Sequence, residues 1–112
     1  MSRKIKRRQI GTRTVEIRSE DYEPFRVTFK TPGTAALVDI GTFLRAATTG
    51  EAKVGGRLIE FLADHIESWT LPDDEQPGTT MPADRDTLDV LPAEIIKAMF
   101  DKIFEAGEQA KN

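Results

Sequence analysis

Few residues in this chain could do chemistry, and they are widely spaced. His65 is the single histidine and there is no cysteine, so neither a His/Cys zinc site nor a nucleophile–histidine pair can be assembled. We interpret His65 as a histidine that hydrogen-bonds locally on the flank of an apolar helix face. The lack of cysteine also excludes disulfides and thiol chemistry, which fits an intracellular protein.

The carboxylates are densest at residues 73–75, with Asp84 and Asp86 further along the chain. Calcium binds carboxylate oxygens, but this run lacks the alternating ligand spacing and fixed glycine of an EF-hand loop. The glycine pair at 55 and 56 is not followed by the lysine and Ser/Thr of a phosphate-binding loop. We therefore expect no catalytic residue, no metal site, no cofactor and no enzymatic activity.

Basic residues are concentrated at the N-terminus. Residues 1–18 carry seven Lys or Arg and one Glu, a net charge of +6, so the rest of this −3 chain carries −9. Such an arm can bind phosphates through counterion release or contact an acidic protein surface. It has no interleaved aromatic residues for base stacking, so nucleic acid is the less favoured partner. The side chains available for these contacts are Arg3, Lys4, Lys6, Arg7 and Arg8.

The spacing of apolar residues predicts an α+β fold in which an N-terminal β-hairpin packs against about three helices. Residues 1–11 form a flexible basic arm, residues 12–106 a single domain, and residues 107–112 a frayed tail. Within the domain, Val15 and Ile17 alternate with polar residues, as do Phe25, Val27 and Phe29, so two strands share one apolar face. A lone hairpin is marginally stable in water, so this face needs a cover.

Three helices are predicted to supply that cover. The first starts after the break at residues 31–34 and stops at 48–50, the second runs from about Glu51 or Ala52 to Trp69, and the third starts at Pro92. The second has an apolar arc of about 160°. The predicted shared core comprises Val15, Ile17, Phe25, Val27, Phe29, Leu37, Ile40, Leu44, Leu58, Leu62, Ile66, Ile95, Met99 and Ile103.

A mobile loop is predicted over residues 70–86, because its Asp, Pro and Gly residues resist regular structure. Asp84 or Asp86 can cap a short turn that runs to Leu91. Trp69, at the start of the loop, either closes the core or anchors a partner, since tryptophan suits both roles. We favour the core.

The order of these features resembles the small tail assembly chaperones of long-tailed, siphovirus-type bacteriophages. The resemblance covers roughly residues 22 to 105 and rests on a helix ending at Trp69, a polar gap, and an LPxxI helix start at Leu91-Pro92. It implies binding of the tape-measure protein, which the chaperone keeps soluble until tail-tube subunits polymerise around it. The major tail tube protein is a second implied partner.

The resemblance implies work in the host cytoplasm, and no stretch of the sequence is apolar enough to suggest a membrane partner. The residues expected to face a client are Trp69, Leu71, Leu88 and Leu91, which bracket the predicted loop. Two alternatives stay open. One is a structural virion protein of the tail or head–tail junction, and the other is a small nucleic-acid-binding regulator that uses the basic arm.

Overall fold

The computed structural model describes residues 11–46 and 51–111. The elements are β1 (Thr12–Ser19), β2 (Tyr22–Lys30), α1 (Thr34–Ala46), α2 (Glu51–His65), β3 (Ile66–Trp69), α3 (Arg85–Val90) and α4 (Ala93–Lys111). An antiparallel sheet in the order β1-β2-β3 packs against helices, so the predicted α+β class is confirmed. The predicted basic arm, up to residue 10, lies outside the described residues.

The N-terminal hairpin has the single apolar face that its alternation predicted. Ile17 pairs with Phe25, and both are buried together with Val27 on one face of the sheet. On the other face, the hydroxyls of Thr14 and Thr28 lie 2.8 Å apart across the two strands. One face of the hairpin is therefore core and the other is polar.

The second predicted helix ends earlier than its apolar pattern indicated. It stops at His65, and the prediction that it reaches Trp69 is wrong, because residues 66–69 form β3 against the free edge of β2. Residues three apart in a regular strand point to opposite faces. The register shifts between Thr28 and Phe29, and this irregularity allows Ile66 and Trp69 both to pack against the core.

The long helix α4 covers the apolar face of the hairpin. Near its start, Ser19 Oγ donates a hydrogen bond to Glu94 Oε2 at 2.9 Å, and near its end Arg13 Nη1 donates to Gln109 Oε1 at 3.5 Å. These two contacts show that α4 runs antiparallel to β1. Ile103, between them, is fully buried.

The C-terminal end of α4 corrects another prediction. The helix continues to Lys111, whereas a frayed tail was predicted from Gly107. A Cβ at Gly107 would lie 2.9 Å from Leu37 Cδ2 and 3.2 Å from Pro32 Cβ. α4 therefore packs closely against the start of α1, and a larger residue at this position would require Leu37 to shift. This contact gives the last turns of α4 a tertiary partner.

The segment between β3 and α3 was predicted as a loop without regular structure, but it contains a hydrogen-bonded hairpin. Met81 N donates to Leu71 O at 2.9 Å, and Asp73 N donates to Thr79 O at 3.1 Å. The turn uses Gly78 at φ +88°, a backbone conformation that glycine adopts without a steric penalty. Residues 74–80, around the tip of this hairpin, are all exposed.

The predicted core is largely present. Ten of its members are buried: Ile17, Phe25, Val27, Phe29, Leu37, Ile40, Leu62, Ile95, Met99 and Ile103. The other four are partly buried against it: Val15, Leu44, Leu58 and Ile66. Further buried apolar residues are Phe61, Trp69, Leu88, Ile96, Phe100 and Ala106. Within residues 11–46 and 51–111, no helix combines the length and apolar content needed to cross a membrane.

Candidate functional site

His65 makes the local hydrogen bond expected of it. Its Nδ1 lies 2.8 Å from the carbonyl oxygen of Phe61, one turn earlier in α2, and the two rings are 4.5 Å apart between centroids. A carbonyl oxygen only accepts, so Nδ1 carries the proton in this bond. The half-buried ring is therefore oriented by its own helix.

Two of the acidic residues after β3, Asp73 and Asp84, have local structural partners. Asp73 Oδ1 accepts a hydrogen bond from Glu75 N at 2.9 Å inside the hairpin. Asp84 Oδ1 accepts from Thr87 N at 2.9 Å and caps α3, so Asp84 is the cap of the two candidates. In the part of the chain that the structure describes, no group of three or more histidine or acidic residues could hold a metal ion.

An apolar groove of about 620 Å³ lies between the helices. We call it the client groove, because Leu88 and Leu91 of its lining are among the residues predicted to face a client. α1 contributes one residue at its C-terminal end, and α2, the α3–α4 corner and α4 form the walls. The lining residues are Leu44, Val54, Gly55, Leu58, Ile59, Leu88, Asp89, Leu91, Ala93, Ile96, Lys97, Phe100 and Asp101.

One wall of the client groove is formed by the corner between α3 and α4, which Pro92 produces. Pro92 disfavours helical backbone at the preceding residue, and Leu91 is extended, with φ −72° and ψ 149°. α3 therefore stops, and α4 starts with hydrogen bonds from Ile95 N and Ile96 N to the Pro92 carbonyl at 3.0 and 3.1 Å. The corner leaves Leu91 half-buried at the groove instead of enclosed in the core.

The opposite wall is the N-terminal half of α2. Val54, Leu58 and Ile59 are half-buried there, and Gly55 lies among them. A Cβ at Gly55 would meet no atom within 4 Å, and the same is true at Gly56. The tertiary structure of this chain therefore does not require glycine at either position. At Gly55 the helix backbone is open to the groove.

Three charged residues belong to the lining: Asp89 from α3, and Lys97 and Asp101 from α4. All three are exposed. None of them forms an ion pair or a side-chain hydrogen bond with another described residue. Lys97 and Asp101 are one turn apart, in the less favourable order for an ion pair along a helix. These three residues form the rim of the groove. The rim is therefore net acidic, and its charges are available to pair with those of a ligand.

Arg57, which precedes the lining residue Leu58, forms its contacts within the domain. Arg57 forms an ion pair with Asp39 of α1 and a second with Glu60 at 3.3 Å. Its guanidinium carbon also lies 5.3 Å from the ring centroid of Phe43. The hydrogen bond that Arg57 donates to Asp39 raises the pKa of Arg57, despite an opposing effect of desolvation. Arg57 therefore stays cationic and links α1 to α2.

The four residues predicted to face a client fall into two groups. Leu88 and Leu91 line the client groove, and Leu88 is only 1% exposed. Trp69 and Leu71 are not part of the lining. Trp69 is buried, and its Nε1 donates to the Met81 carbonyl at 2.7 Å, which is the core role favoured from the sequence. Contact of any of the four with a partner stays a prediction.

The predicted phosphate or acidic-partner contacts of the arm lie outside the described residues. They are Arg3, Lys4, Lys6, Arg7 and Arg8.

Of the thirteen lining residues, only Leu44 and Leu58 were in the predicted core, and only Leu88 and Leu91 were predicted to face a client. The signal available was the width of the apolar arc on α2, which exceeds the roughly 100° that suffices for one packing surface. Val54 and Leu58 extend along that arc beyond the part that the core encloses. A wide arc indicates extra apolar surface without identifying what covers it.

No protein-family model matches this chain, and neither a curated protein nor a solved structure does. A function is therefore inferred from the chemistry of the client groove and its rim.

Proposed function

We propose that this protein is a phage tail assembly chaperone that holds an apolar helical segment of the tape-measure protein in the client groove. The observation that carries the proposal is the groove itself: half-buried Val54, Leu58, Ile59 and Leu91 line one continuous apolar depression. Burying an amphipathic helix in such a groove is a recurrent mode of peptide recognition. The resemblance of the sequence to tail assembly chaperones supports the choice of client.

Binding in the groove is expected to be reversible. Apolar area removed from water contributes about 25 cal/mol per Å², but association also loses translational and side-chain freedom. Half-buried side chains have only part of their area left to cover, so the net affinity is modest. A client held in this way is protected from aggregation and still released when tail-tube subunits assemble around it.

The hairpin after β3 has a supporting role in this proposal. Trp69 is tied to Met81 at the base of the hairpin and closes the core there. Leu71 is half-buried beside it and outside the groove lining. The client is therefore seated against α2 and the α3–α4 corner, and the segment after β3 does not need to open over it.

The proposed role needs no catalytic residue, cofactor or metal. It would be carried out in the host cytoplasm, before the tail is complete. The major tail tube protein is a second partner in this scheme, because its polymerisation displaces the chaperone from the tape-measure protein. The basic arm is not required for holding the client.

The test is co-expression with the proposed client, a tape-measure protein, scored as soluble yield of that client. Leu58→Asp with Leu91→Asp places two carboxylates in the apolar lining and is expected to reduce the yield to the level without chaperone. Both side chains are half-buried, whereas Asp at Leu88 would disrupt the core. A matched control is Tyr22→Asp with Val38→Asp, which replaces two exposed hydrophobic residues elsewhere.

Circular dichroism and thermal unfolding must first show that both double variants are folded. If the groove and control variants raise the soluble yield of the client equally, the groove is excluded as the client site. A tape-measure protein that is fully soluble without this chain would remove the chaperone role. Stoichiometric amounts of this chain in finished particles would instead support the structural virion alternative.

A further inference from the structure

The charges on the groove lining restrict the kind of helix that fits it. We infer that the client groove selects an amphipathic helix whose apolar stripe is flanked by lysine or arginine, and that this helix lies against the α2 backbone at Gly55. The inference rests on the proposed function, that the groove receives a client helix. It adds the sequence class of the bound segment and the place of closest contact.

The length of the groove sets the number of anchor residues. Its α4 wall extends from Ala93 to Asp101. At a rise of 1.5 Å per residue, this is about 12 Å, or roughly two helical turns. A client helix therefore presents anchors at positions i, i+3, i+4 and i+7, the spacing of one apolar stripe.

The acidic rim sets the sign of the flanking charges. Asp89 and Asp101 have no partner among the described residues, and one lysine, Lys97, offsets only one of them. Basic residues beside the client's apolar stripe complement this rim, and acidic ones are repelled by it. Exposed pairs of this kind contribute modestly, about 2- to 5-fold in affinity for each pair, and salt weakens them.

Charge also argues against a second copy of this chain as the occupant. Beyond residue 18 the chain carries a net −9, and the groove-facing helices present carboxylates at the rim. Docking a helix from this acidic body into the acidic rim would place like charges together. A separate partner with a basic-flanked helix avoids this repulsion.

Gly55 provides the close approach. It lines the groove, and the space next to it is empty, so a client helix can contact the α2 backbone there. Gly56 has equally open surroundings but is not part of the lining. The adjacent pair therefore supplies a variant and its matched control, since both sit in the same helix and lose the same conformational freedom.

The experiment uses three fluorescent 18-residue peptides with the same leucine stripe, flanked by Lys, Gln or Glu. Anisotropy titration of the full chain is expected to rank affinity as Lys over Gln over Glu, with a smaller spread in 0.5 M salt. Asp89→Asn with Asp101→Asn should bring the Lys and Glu peptides to within about 2-fold of each other. The charge-matched control, Asp73→Asn with Asp74→Asn in the hairpin, should leave the ranking unchanged.

The backbone contact is tested in the same titration. Gly55→Leu is expected to weaken all three peptides at least 10-fold, and Gly56→Leu to leave them within 2-fold of the unmodified chain. Equal loss in both variants, with both proteins folded, would overturn the contact at Gly55.

The remaining outcomes separate the two proposals. Equal affinity for the three peptides would overturn the charge selection and leave the groove as a helix site. Failure of every peptide to bind would overturn the proposed function as well. A large gain in affinity after deletion of residues 2–9 would identify the chain's own basic arm as the groove's occupant, contrary to the partner inferred here.

Discussion

The two halves of α2 share one apolar periodicity but have different surroundings. In the C-terminal half, Phe61 and Leu62 are buried, and Leu62 has no exposed area. In the N-terminal half, Val54 and Leu58 are half-buried and line the client groove. A helical pattern therefore specifies which face is apolar, but not how much of that face the domain itself covers.

The difference arises from what lies opposite each half. Phe61 packs edge-on against Phe100 of α4, with ring centroids 5.2 Å apart. The N-terminal half faces the short helix α3, whose six residues place a single apolar side chain, Leu88, in the buried core. A helix of that length cannot cover a wall that long, so apolar surface stays open.

The largest effect expected from this comparison is on stability. Leu62→Ala should lower the free energy of unfolding by about 2–5 kcal/mol, because it leaves a cavity in a fully enclosed site. Leu58→Ala removes the same atoms from a half-buried position in the groove lining. It should lower the free energy of unfolding by clearly less. Urea unfolding of both variants measures the difference. Equal losses would show that the two halves of α2 are packed alike.

An intermediate loss of stability is expected at Trp69, which follows the buried half of α2 along the chain. Trp69→Phe keeps an aromatic ring but removes the donor to the Met81 carbonyl. The unpaired carbonyl should lower stability by about 1–3 kcal/mol, measured by the same unfolding experiment. Tyr22→Phe, at an exposed position, is the control and should change stability by less than about 0.5 kcal/mol. A loss of that small size in Trp69→Phe would contradict the bond's role in tying the hairpin to β3.

The smallest expected effect is a gain in stability. Gly55→Ala and Gly56→Ala should each stabilise the free protein by about 0.5–1 kcal/mol, because alanine restricts the unfolded chain and meets no clash in α2. Thermal unfolding of the two variants provides the measurement. A destabilised variant at either position would mean that the open half of α2 needs glycine for its own packing.

The elements that the sequence predicted well are those decided by local pattern. Strict alternation around Ile17 and Val27 gave the hairpin and its inner face. Spacing of three and four residues gave the core side of α1, and Asp84 was among the two caps predicted for α3. These features depend on near neighbours in the chain, so one sequence contains the information.

The features that were missed depend on distant partners. Ile66 and Trp69 continue a helical spacing in the sequence, yet the free edge of β2 recruits them as a strand. Tertiary pairing outweighs a weak local preference here. The end of α4 was missed for a similar reason, because the contact of Gly107 with Leu37 joins parts of the chain that are far apart in sequence.

The candidate site was predicted only in part. Leu88 and Leu91 were named as client-facing and do line the groove. Trp69 and Leu71 were grouped with them because they bracket the same polar segment in sequence. The groove is a property of how the four helices are spaced, and adjacency along the chain does not report that spacing.

The late arrival of β3 has a consequence for synthesis on the ribosome. β2 pairs with β1 through a short turn, but its other edge waits for a strand that follows two helices, α1 and α2. At about 5–20 residues per second, that interval lasts on the order of seconds. During it, β2 presents an unpaired edge next to Phe25, Val27 and Phe29, the combination that favours pairing with other chains. We therefore expect the nascent protein to be prone to aggregation through this edge until Trp69 has left the exit tunnel, and through the apolar face of the hairpin until α4 has followed.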